Sequence, residues 1–250
     1  MQKVFLVSSL GASEQINGVK KPKPINDCNG LKTLLNSKLE KRENFVFMAS
    51  NPSDYQQNDL YAQRIFTSFQ LSKMPFKNLI IIDERSTLDL KEVIMMADLV
   101  FLAGGHTLTE MQYFEKIKLR ALLKDYSGVI LGQSAGALNL AKTVVCAPEY
   151  VEEIGTEYLW PGLGKTWVNI EPHFNLEVNS EADKLLREEL LKVSVNNPLY
   201  ALPDGSFVFD DGLKAILYGE AYYLDGKITK ICQQNEFIVL NNQGGVNENI

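Results

Sequence analysis

Five short apolar segments, separated by stretches with helical spacing, place strong limits on how this chain can fold. The stretches between these segments repeat apolar residues at intervals of three and four positions, as at Leu31, Leu34 and Leu35. An alternating β-α order of this kind predicts an α/β fold, a three-layer arrangement with a mostly parallel sheet and helices on both faces. The segments predicted as buried parallel strands are residues 4–7, 45–49, 79–82, 99–103 and 129–131.

The last third of the chain has a different pattern. After a predicted helix near residues 180–193, strand-like segments alternate with the tight-turn pairs Asp211-Gly212 and Asp225-Gly226. These features predict an antiparallel C-terminal extension and a single domain over residues 1–240, followed by a polar tail at 241–250. The predicted strands of the extension are residues 206–210, 214–218, 221–224 and 227–232.

Composition excludes several classes of partner. Apolar residues make up 45% of the chain and charged residues 22%, as in an ordinary globular protein. A net charge of −6 and a pI near 5.1 predict no nucleic-acid partner and no attraction to an anionic membrane surface. With no evident signal peptide and no apolar run of about 18 residues, no membrane association is expected.

The cysteines and histidines predict neither a disulfide framework nor a metal site. Cys28, Cys146 and Cys232 are far apart and odd in number, and the chain has two histidines. We therefore expect a cytoplasmic protein without metal. No glycine-rich dinucleotide motif follows a predicted strand, so no cofactor is expected either.

The fifth predicted strand runs directly into Gly132-Gln133-Ser134-Ala135-Gly136 and then into a helix-compatible segment. A Gly-x-Ser-x-Gly turn between a strand and a helix is typical of a nucleophile elbow, in which a strained backbone exposes the serine hydroxyl. The two glycines are expected where strand and helix approach too closely for side chains. Because the free N–H groups at a helix N-terminus favour negative charge, this turn predicts acyl-transfer chemistry.

A serine nucleophile requires a base, for which this chain offers His106 and His173. His173 is favoured because Pro172 restricts the backbone immediately before it. A third group must orient the imidazole, and the sequence between Ser134 and His173 contains several candidate acids. They are Glu149, Glu152, Glu153, Glu157 and Glu171.

The pair Gly104-Gly105 ends the fourth predicted strand and leads into a helix predicted near residues 108–126. Glycines at such a turn can direct backbone N–H groups toward an oxyanion, with the N–H of Ala135 as a second donor. Loops 11–24 and 50–58 follow the first two strands and are expected to line a ligand crevice at the carboxyl edge of the sheet.

Three motifs in this order resemble the peptidase E family of aspartyl dipeptidases and the related cyanophycinases. They are Ala-Gly-Gly-x-Thr at 103–107, Gly-x-Ser-Ala-Gly-Ala at 132–137 and Pro-His-Phe at 172–174. The resemblance runs from the first strand to about Tyr218. It implies a class I glutamine amidotransferase-like (flavodoxin-like) fold with serine at the elbow.

The resemblance also implies roles for individual residues. An acid fifteen positions after the serine completes the triad in these dipeptidases, which selects Glu149 here, although the family has aspartate. Gly104, Gly105 and Ala135 are then the oxyanion hole. Asp204, in Leu-Pro-Asp-Gly-Ser, is expected to hold the substrate's free α-ammonium group, and Thr107 is assigned to substrate binding with it.

The sequence thus predicts a serine peptidase that cleaves small peptides, with Asp-X or isoaspartyl dipeptides implied as substrates by the resemblance. The protein is expected to be a monomer or a homodimer. Two alternatives stay open: an esterase of the α/β-hydrolase type, and a catalytically inactive binding protein on the same fold.

Overall fold

The computed structural model describes residues 2–156 and 158–241, together with the backbone of 245–246. Side-chain caps begin four of the helices: Asp54, Asp89, His106 and Ser180 accept backbone N–H groups of the first turn. A short 3-10 turn covers Val151–Glu153. The α-helices of the described residues are α1 Leu31–Lys38, α2 Tyr55–Leu71, α3 Leu90–Met96, α4 Thr107–Lys116, α5 Leu119–Leu122, α6 Ala135–Leu138 and α7 Glu181–Asn196.

The strands in the first two thirds of the chain include the five that the apolar segments predict, with ends that differ by at most two residues. They are β1 Lys3–Val7, β2 Ser13–Ile16, β3 Val19–Pro22, β4 Asn44–Met48, β5 Asn78–Ile82, β6 Leu99–Leu102, β7 Val129–Gln133, β8 Thr143–Val145, β9 Leu159–Pro161 and β10 Ile170–Glu171. The remaining strands are β11 Leu199–Ala201, β12 Phe207–Asp210, β13 Ala215–Tyr218, β14 Ala221–Leu224, β15 Ile228–Cys232, β16 Phe237–Asn241 and β17 Gly245–Val246.

The central sheet is mostly parallel and is covered on both faces. Its strand order is β17-β16-β13-β12-β1-β7-β6-β4-β5, and the five strands from β1 to β5 in that order run parallel. One core, around Phe45 and Phe69, packs α1 and α2 against one face, and a second, around Ile94 and Phe114, packs α3 to α6 against the other. Burial on both faces explains why these strands are almost continuously apolar.

The predicted C-terminal strands form, but they divide between two sheets. β12 and β13 extend the central sheet in antiparallel fashion, as predicted, and β16 adds a strand that the sequence did not predict. β14 and β15 instead join β10 and β11 in a separate four-stranded sheet. Within the predicted tail 241–250, Asn241 ends β16 and Gly245–Val246 pairs with β16. The other tail residues lie outside the described part of the chain.

Two sequence-based expectations are wrong in detail. The helix predicted near 108–126 is divided into α4 and α5, because Lys118 has a φ of 57° and a left-handed residue ends the helical hydrogen-bond ladder. The predicted loop 11–24 contains the hairpin β2–β3. Asn17 and Gly18 both have positive φ, as the two-residue type I′ turn of a hairpin requires.

The carboxyl ends of the parallel strands lie side by side and define one edge of the molecule. Val7 is level with Gln133, and Leu102 is level with Gly132. The residues that follow β1, β6 and β7 therefore meet at this edge. No helix among the described residues is long and apolar enough to cross a membrane.

Candidate active site

Ser134 occupies a sharp turn between β7 and α6. Its φ of 51° and ψ of −118° lie outside the regions that L-residues normally adopt. A Cβ at Gly132 would collide with the backbone of Gly136 and Ala137, and one at Gly136 would collide with the carbonyl of Leu102. The close crossing of strand and helix therefore requires glycine on both sides of the serine.

The imidazole of His173 bridges Ser134 and Asp204. Nε2 of His173 is 3.0 Å from Oγ of Ser134, and Nδ1 is 2.7 Å from Oδ1 of Asp204. With the proton on Nδ1, the ring donates to the carboxylate and accepts the serine hydroxyl. Serine, histidine and carboxylate thus form one continuous chain of hydrogen bonds.

The carboxylate beside His173 is Asp204, not the expected Glu149. His173 follows β10 and Asp204 follows β11, and these two parallel strands are in register, Glu171 beside Ala201. The loops that leave them start next to each other, which brings the two side chains together. The same contact changes the expected role of Asp204, because its Oδ1 is already engaged by His173 rather than being held for a substrate ammonium group.

Ser8, which the sequence analysis did not identify, connects the loops that carry His173 and Asp204. Its buried hydroxyl accepts the backbone N–H of His173 at 2.8 Å and donates to Oδ1 of Asp204 at 3.0 Å. His173 has a φ of 56°, a conformation that this hydrogen bond helps to hold. The position of Ser8 in the sequence could have identified it, because Ser8 directly follows a buried parallel strand, where ligand-crevice residues occur.

The contact between His173 and Asp204 shifts the pKa of each group. The hydrogen bond to Asp204 raises the pKa of the imidazole above its usual value, although burial opposes the shift. The same hydrogen bond lowers the pKa of Asp204. Both shifts favour a charged pair when His173 takes up a proton.

Of the glutamates that the sequence left open, those that the structure describes do not contact Nδ1 of His173, whose hydrogen-bond partner is Asp204. Glu149 borders the cavity, and burial together with the charge of Glu153 raises its pKa. Glu153 accepts the backbone N–H groups of residues 149 and 150, while burial raises the pKa of Glu171 to about 8. Glu152 is exposed, and Glu157 lies outside the described residues.

The glycine turn after β6 presents one free N–H rather than two. The N–H of Gly104 donates to the hydroxyl of Tyr61 at 3.3 Å, and its carbonyl accepts the hydroxyl of Ser50 at 2.8 Å. Within the described part of the chain, the N–H groups of Gly105 and Ala135 have no acceptor. Gly104 therefore fixes the turn, and the unpaired donors are those of Gly105 and Ala135.

Three further side chains lie near the site: His106, Thr107 and Cys146. His106 caps α4, its Nδ1 accepting the N–H of Thr109, which agrees with the preference for His173 as the base. Thr107 is only 1% exposed and does not border the cavity of Ser134, in contrast to its expected role in substrate binding. Burial raises the pKa of Cys146 to about 12, so its thiol is not an activated nucleophile.

Ser134 opens into a cavity of about 970 Å³. α2 and the hairpin β2–β3 contribute Tyr61, Arg64 and Lys20, whereas the segments after α6 contribute Glu149 and Glu171. The described residues contain no cluster of three or more side chains suited to a metal ion. A cavity of this size accommodates a small organic ligand such as a short peptide.

Comparisons with known proteins identify a family and a shared fold. The model of Peptidase family S51 matches residues 20–218. The fold is similar to that of a peptidase from an acI-B1 Actinobacterium, at 14% identity and a TM-score of 0.65, over 96% of this chain and 97% of that one. It is also similar to a protein designated peptidase E from Listeria monocytogenes EGD-e, at 14% identity and a TM-score of 0.60, over 87% and 98% of the two chains.

A comparison with curated proteins finds no match. Since identities of 14% show a common fold and no more, the assignment depends on the family model, which covers most of the chain. The chain belongs to peptidase family S51, the peptidase E family, and is a serine-type peptidase.

Proposed function

We propose that this peptidase cleaves small peptides through an acyl-enzyme on Ser134, with His173 as the general base and Asp204 as the group that orients it. The observation that carries the proposal is the connected geometry of the three side chains, 3.0 Å from serine to imidazole and 2.7 Å from imidazole to carboxylate. Nucleophile, base and orienting group are each within hydrogen-bond distance of the next, as this chemistry requires.

In the first half of the reaction, Nε2 of His173 takes the proton of Ser134 while Oγ attacks the scissile carbonyl carbon. The carbonyl oxygen becomes an oxyanion, which the free N–H groups of Gly105 and Ala135 stabilise. The imidazolium, held by Asp204, then gives its proton to the leaving nitrogen as the carbon–nitrogen bond breaks. The products are a free amine and an ester on Ser134.

In the second half, water replaces the amine. His173 removes a proton from this water as the water attacks the ester carbonyl, and then returns a proton to Oγ of Ser134. The acid leaves and the resting enzyme is restored. The raised pKa of His173 makes the imidazole a stronger proton acceptor than a free histidine, provided that the pH is high enough to keep it neutral.

We further propose Asp-X or isoaspartyl dipeptides as substrates, which makes the protein a dipeptidase. The family membership and the cavity of about 970 Å³ support this choice, because the space suits a small peptide rather than a folded protein. A cytoplasmic location is proposed as well, since Cys28, Cys146 and Cys232 are free thiols, as in a reducing compartment.

We also infer the class I glutamine amidotransferase-like, flavodoxin-like arrangement. Strands β5, β4, β6 and β7 follow the 2-1-3-4 order of flavodoxin-like sheets, with β1 in the fifth position. The order reverses between β4 and β6, and Ser50 and Gly104, which follow these strands, meet by a hydrogen bond at this point. The proposed site therefore lies beside the topological switch point.

Labelling with a fluorophosphonate probe, combined with a panel of dipeptides and short acyl esters, tests the function. We expect labelling of Ser134, turnover of dipeptides, and a loss of about 10³- to 10⁶-fold in kcat for Ser134→Ala. Turnover of acyl esters without turnover of any dipeptide would favour an esterase. A folded protein that neither takes the label nor hydrolyses any member of the panel would contradict the proposal in favour of a binding protein.

A further inference from the structure

A half-buried arginine without a counterion borders the cavity of Ser134. Arg64 lies on α2 with its side chain toward this cavity, and no carboxylate of the described residues is within ion-pair distance of it. By contrast, Arg85 is held by Asp59 at 2.6 Å and by Asp83 at 2.7 Å. An unpaired guanidinium in a partly desolvated wall favours the arrival of an anion.

Tyr61 lies one helical turn before Arg64, beneath its guanidinium. The guanidinium carbon is 4.9 Å from the centre of the tyrosine ring, so the ring supports the cation in its position facing the cavity. Residues three apart share a face of a helix, which brings both side chains to the cavity. The exposed Lys20 of the hairpin β2–β3 adds a second positive charge at its rim.

The hydroxyl of Tyr61 has an unused hydrogen. Its oxygen accepts the N–H of Gly104 at 3.3 Å and the Nε2–H of Gln133 at 2.9 Å, which occupies both lone pairs. The amide of Gln133 is fixed in this orientation, because its Oε1 accepts the N–H of Leu10 at 3.2 Å. No described acceptor takes the phenolic hydrogen, which can therefore be donated to a bound group.

We propose that Arg64, Tyr61 and Lys20 form a subsite for a carboxylate of the substrate. Arg64 supplies charge-assisted hydrogen bonds, Tyr61 supplies one O–H donor, and Lys20 attracts the anion to the cavity. The proposal rests on the proposed peptidase function and adds the residues that select the substrate.

The carboxylate can come from an acidic side chain or from the C-terminus of a dipeptide, and three peptides distinguish these sources. Asp-Leu carries both groups, Asn-Leu lacks the side-chain charge, and Asp-Leu amide lacks the terminal charge. We expect wild-type enzyme to prefer Asp-Leu in kcat/KM over one of the two analogues by about 10- to 100-fold, as for a lost charge-assisted hydrogen bond. The less favoured analogue identifies the carboxylate that is bound.

Substituting Arg64 tests whether this residue creates the preference. Arg64→Gln is expected to reduce the preference to less than about threefold, mainly through KM, with partial recovery in Arg64→Lys. Lys91→Gln, which removes an exposed charge on α3 away from the cavity, is the matched control and should retain the full preference. Retention of the full preference in Arg64→Gln, or a wild-type enzyme that turns over all three peptides equally, would overturn the proposal.

Fluorophosphonate labelling separates this result from a failure of the proposed function. The probe reacts with Ser134 and carries no carboxylate, so its rate should be the same in Arg64→Gln and in wild-type enzyme. A folded wild-type protein without labelling or turnover would refute the peptidase mechanism. A labelled and active enzyme without carboxylate preference would refute only the subsite.

Discussion

The two sides of the candidate active site are held in place by different physical means. Ser134 lies in a corner of buried backbone where Gly132 and Gly136 leave no room for a side chain. The side chains of His173 and Asp204 are 50% and 62% exposed and are placed by hydrogen bonds between loops. Sterics therefore position the nucleophile, whereas a few polar contacts position the base.

This difference suggests that the two sides respond differently to substitution. On the serine side, a small change in volume should affect folding as well as catalysis, because the backbone cannot move away. On the histidine side, the loss of one polar group should affect catalysis and its pH dependence while the fold persists. Three substitutions test this contrast.

The largest effect is expected from Asp204→Asn, on the histidine side. Without the carboxylate the imidazole loses its orientation and the stabilisation of its charged form, so kcat should fall by about 10²- to 10⁴-fold. The acid limb of the kcat/KM profile reports the pKa of His173, which the contact with Asp204 raises. Asp204→Asn should move that limb to lower pH, because the imidazole then loses its proton at lower pH.

Glu149→Gln is the matched control, since it removes one carboxylate that borders the same cavity. It should lower kcat by less than tenfold and leave the acid limb within a few tenths of a pH unit. The reverse pattern, with the large loss and the pH shift in Glu149→Gln, would show that the assignment from the family resemblance is right and that Asp204 is not the orienting acid.

A loss of stability is expected on the serine side from Gly136→Ala. The added methyl group would overlap the backbone of Leu102 in the neighbouring strand. Overpacking of a rigid core typically costs about 1–3 kcal/mol, so thermal unfolding should show a Tm lower by about 2–12 °C. Ser134→Ala adds no atoms to the same turn and should keep the wild-type Tm. An equal Tm in both variants would argue against steric control of the elbow.

The smallest effect is expected from Ser8→Ala, which removes the hydroxyl between the two loops. The N–H of His173 loses its acceptor and Asp204 loses a donor, while the direct imidazole–carboxylate contact stays. Since a neutral hydrogen bond is worth about 1 kcal/mol and one to a charged group about 1.5–3 kcal/mol, kcat should fall by about fivefold to 100-fold.

Ser37→Ala, on the exposed face of α1, is the control for Ser8→Ala. The rate of fluorophosphonate labelling should fall together with kcat in Ser8→Ala and stay constant in Ser37→Ala. Unchanged labelling and kcat in Ser8→Ala would show that the positions of the loops do not depend on this hydroxyl.

The sequence alone determined the features that depend on neighbours along the chain. Buried parallel strands and amphipathic helices each have a period visible in a short window, which is why β1, β4, β5, β6 and β7 are predicted near their observed positions. The turn at Ser134 is local as well, because Gly132, Ser134 and Gly136 lie within five residues. Asn17-Gly18 also carries a recognisable hairpin signal, which the interpretation of 11–24 as a loop overlooked.

Only the tertiary structure decided which groups meet across the chain. β10 is two residues long, too short to be identified by any period, yet its pairing with β11 places Asp204 beside His173. β14 pairs with β11, and β15 pairs with β14, so both strands belong to a second sheet, although their sequences resemble those of β12 and β13. Counting from Ser134 led to Glu149 because residue separation carries no information about contacts made between parallel strands. The turn that carries Ser134 is encoded by neighbouring residues. The positions of Asp204, of the buried hydroxyl of Ser8 and of the unpaired Arg64 follow from tertiary packing.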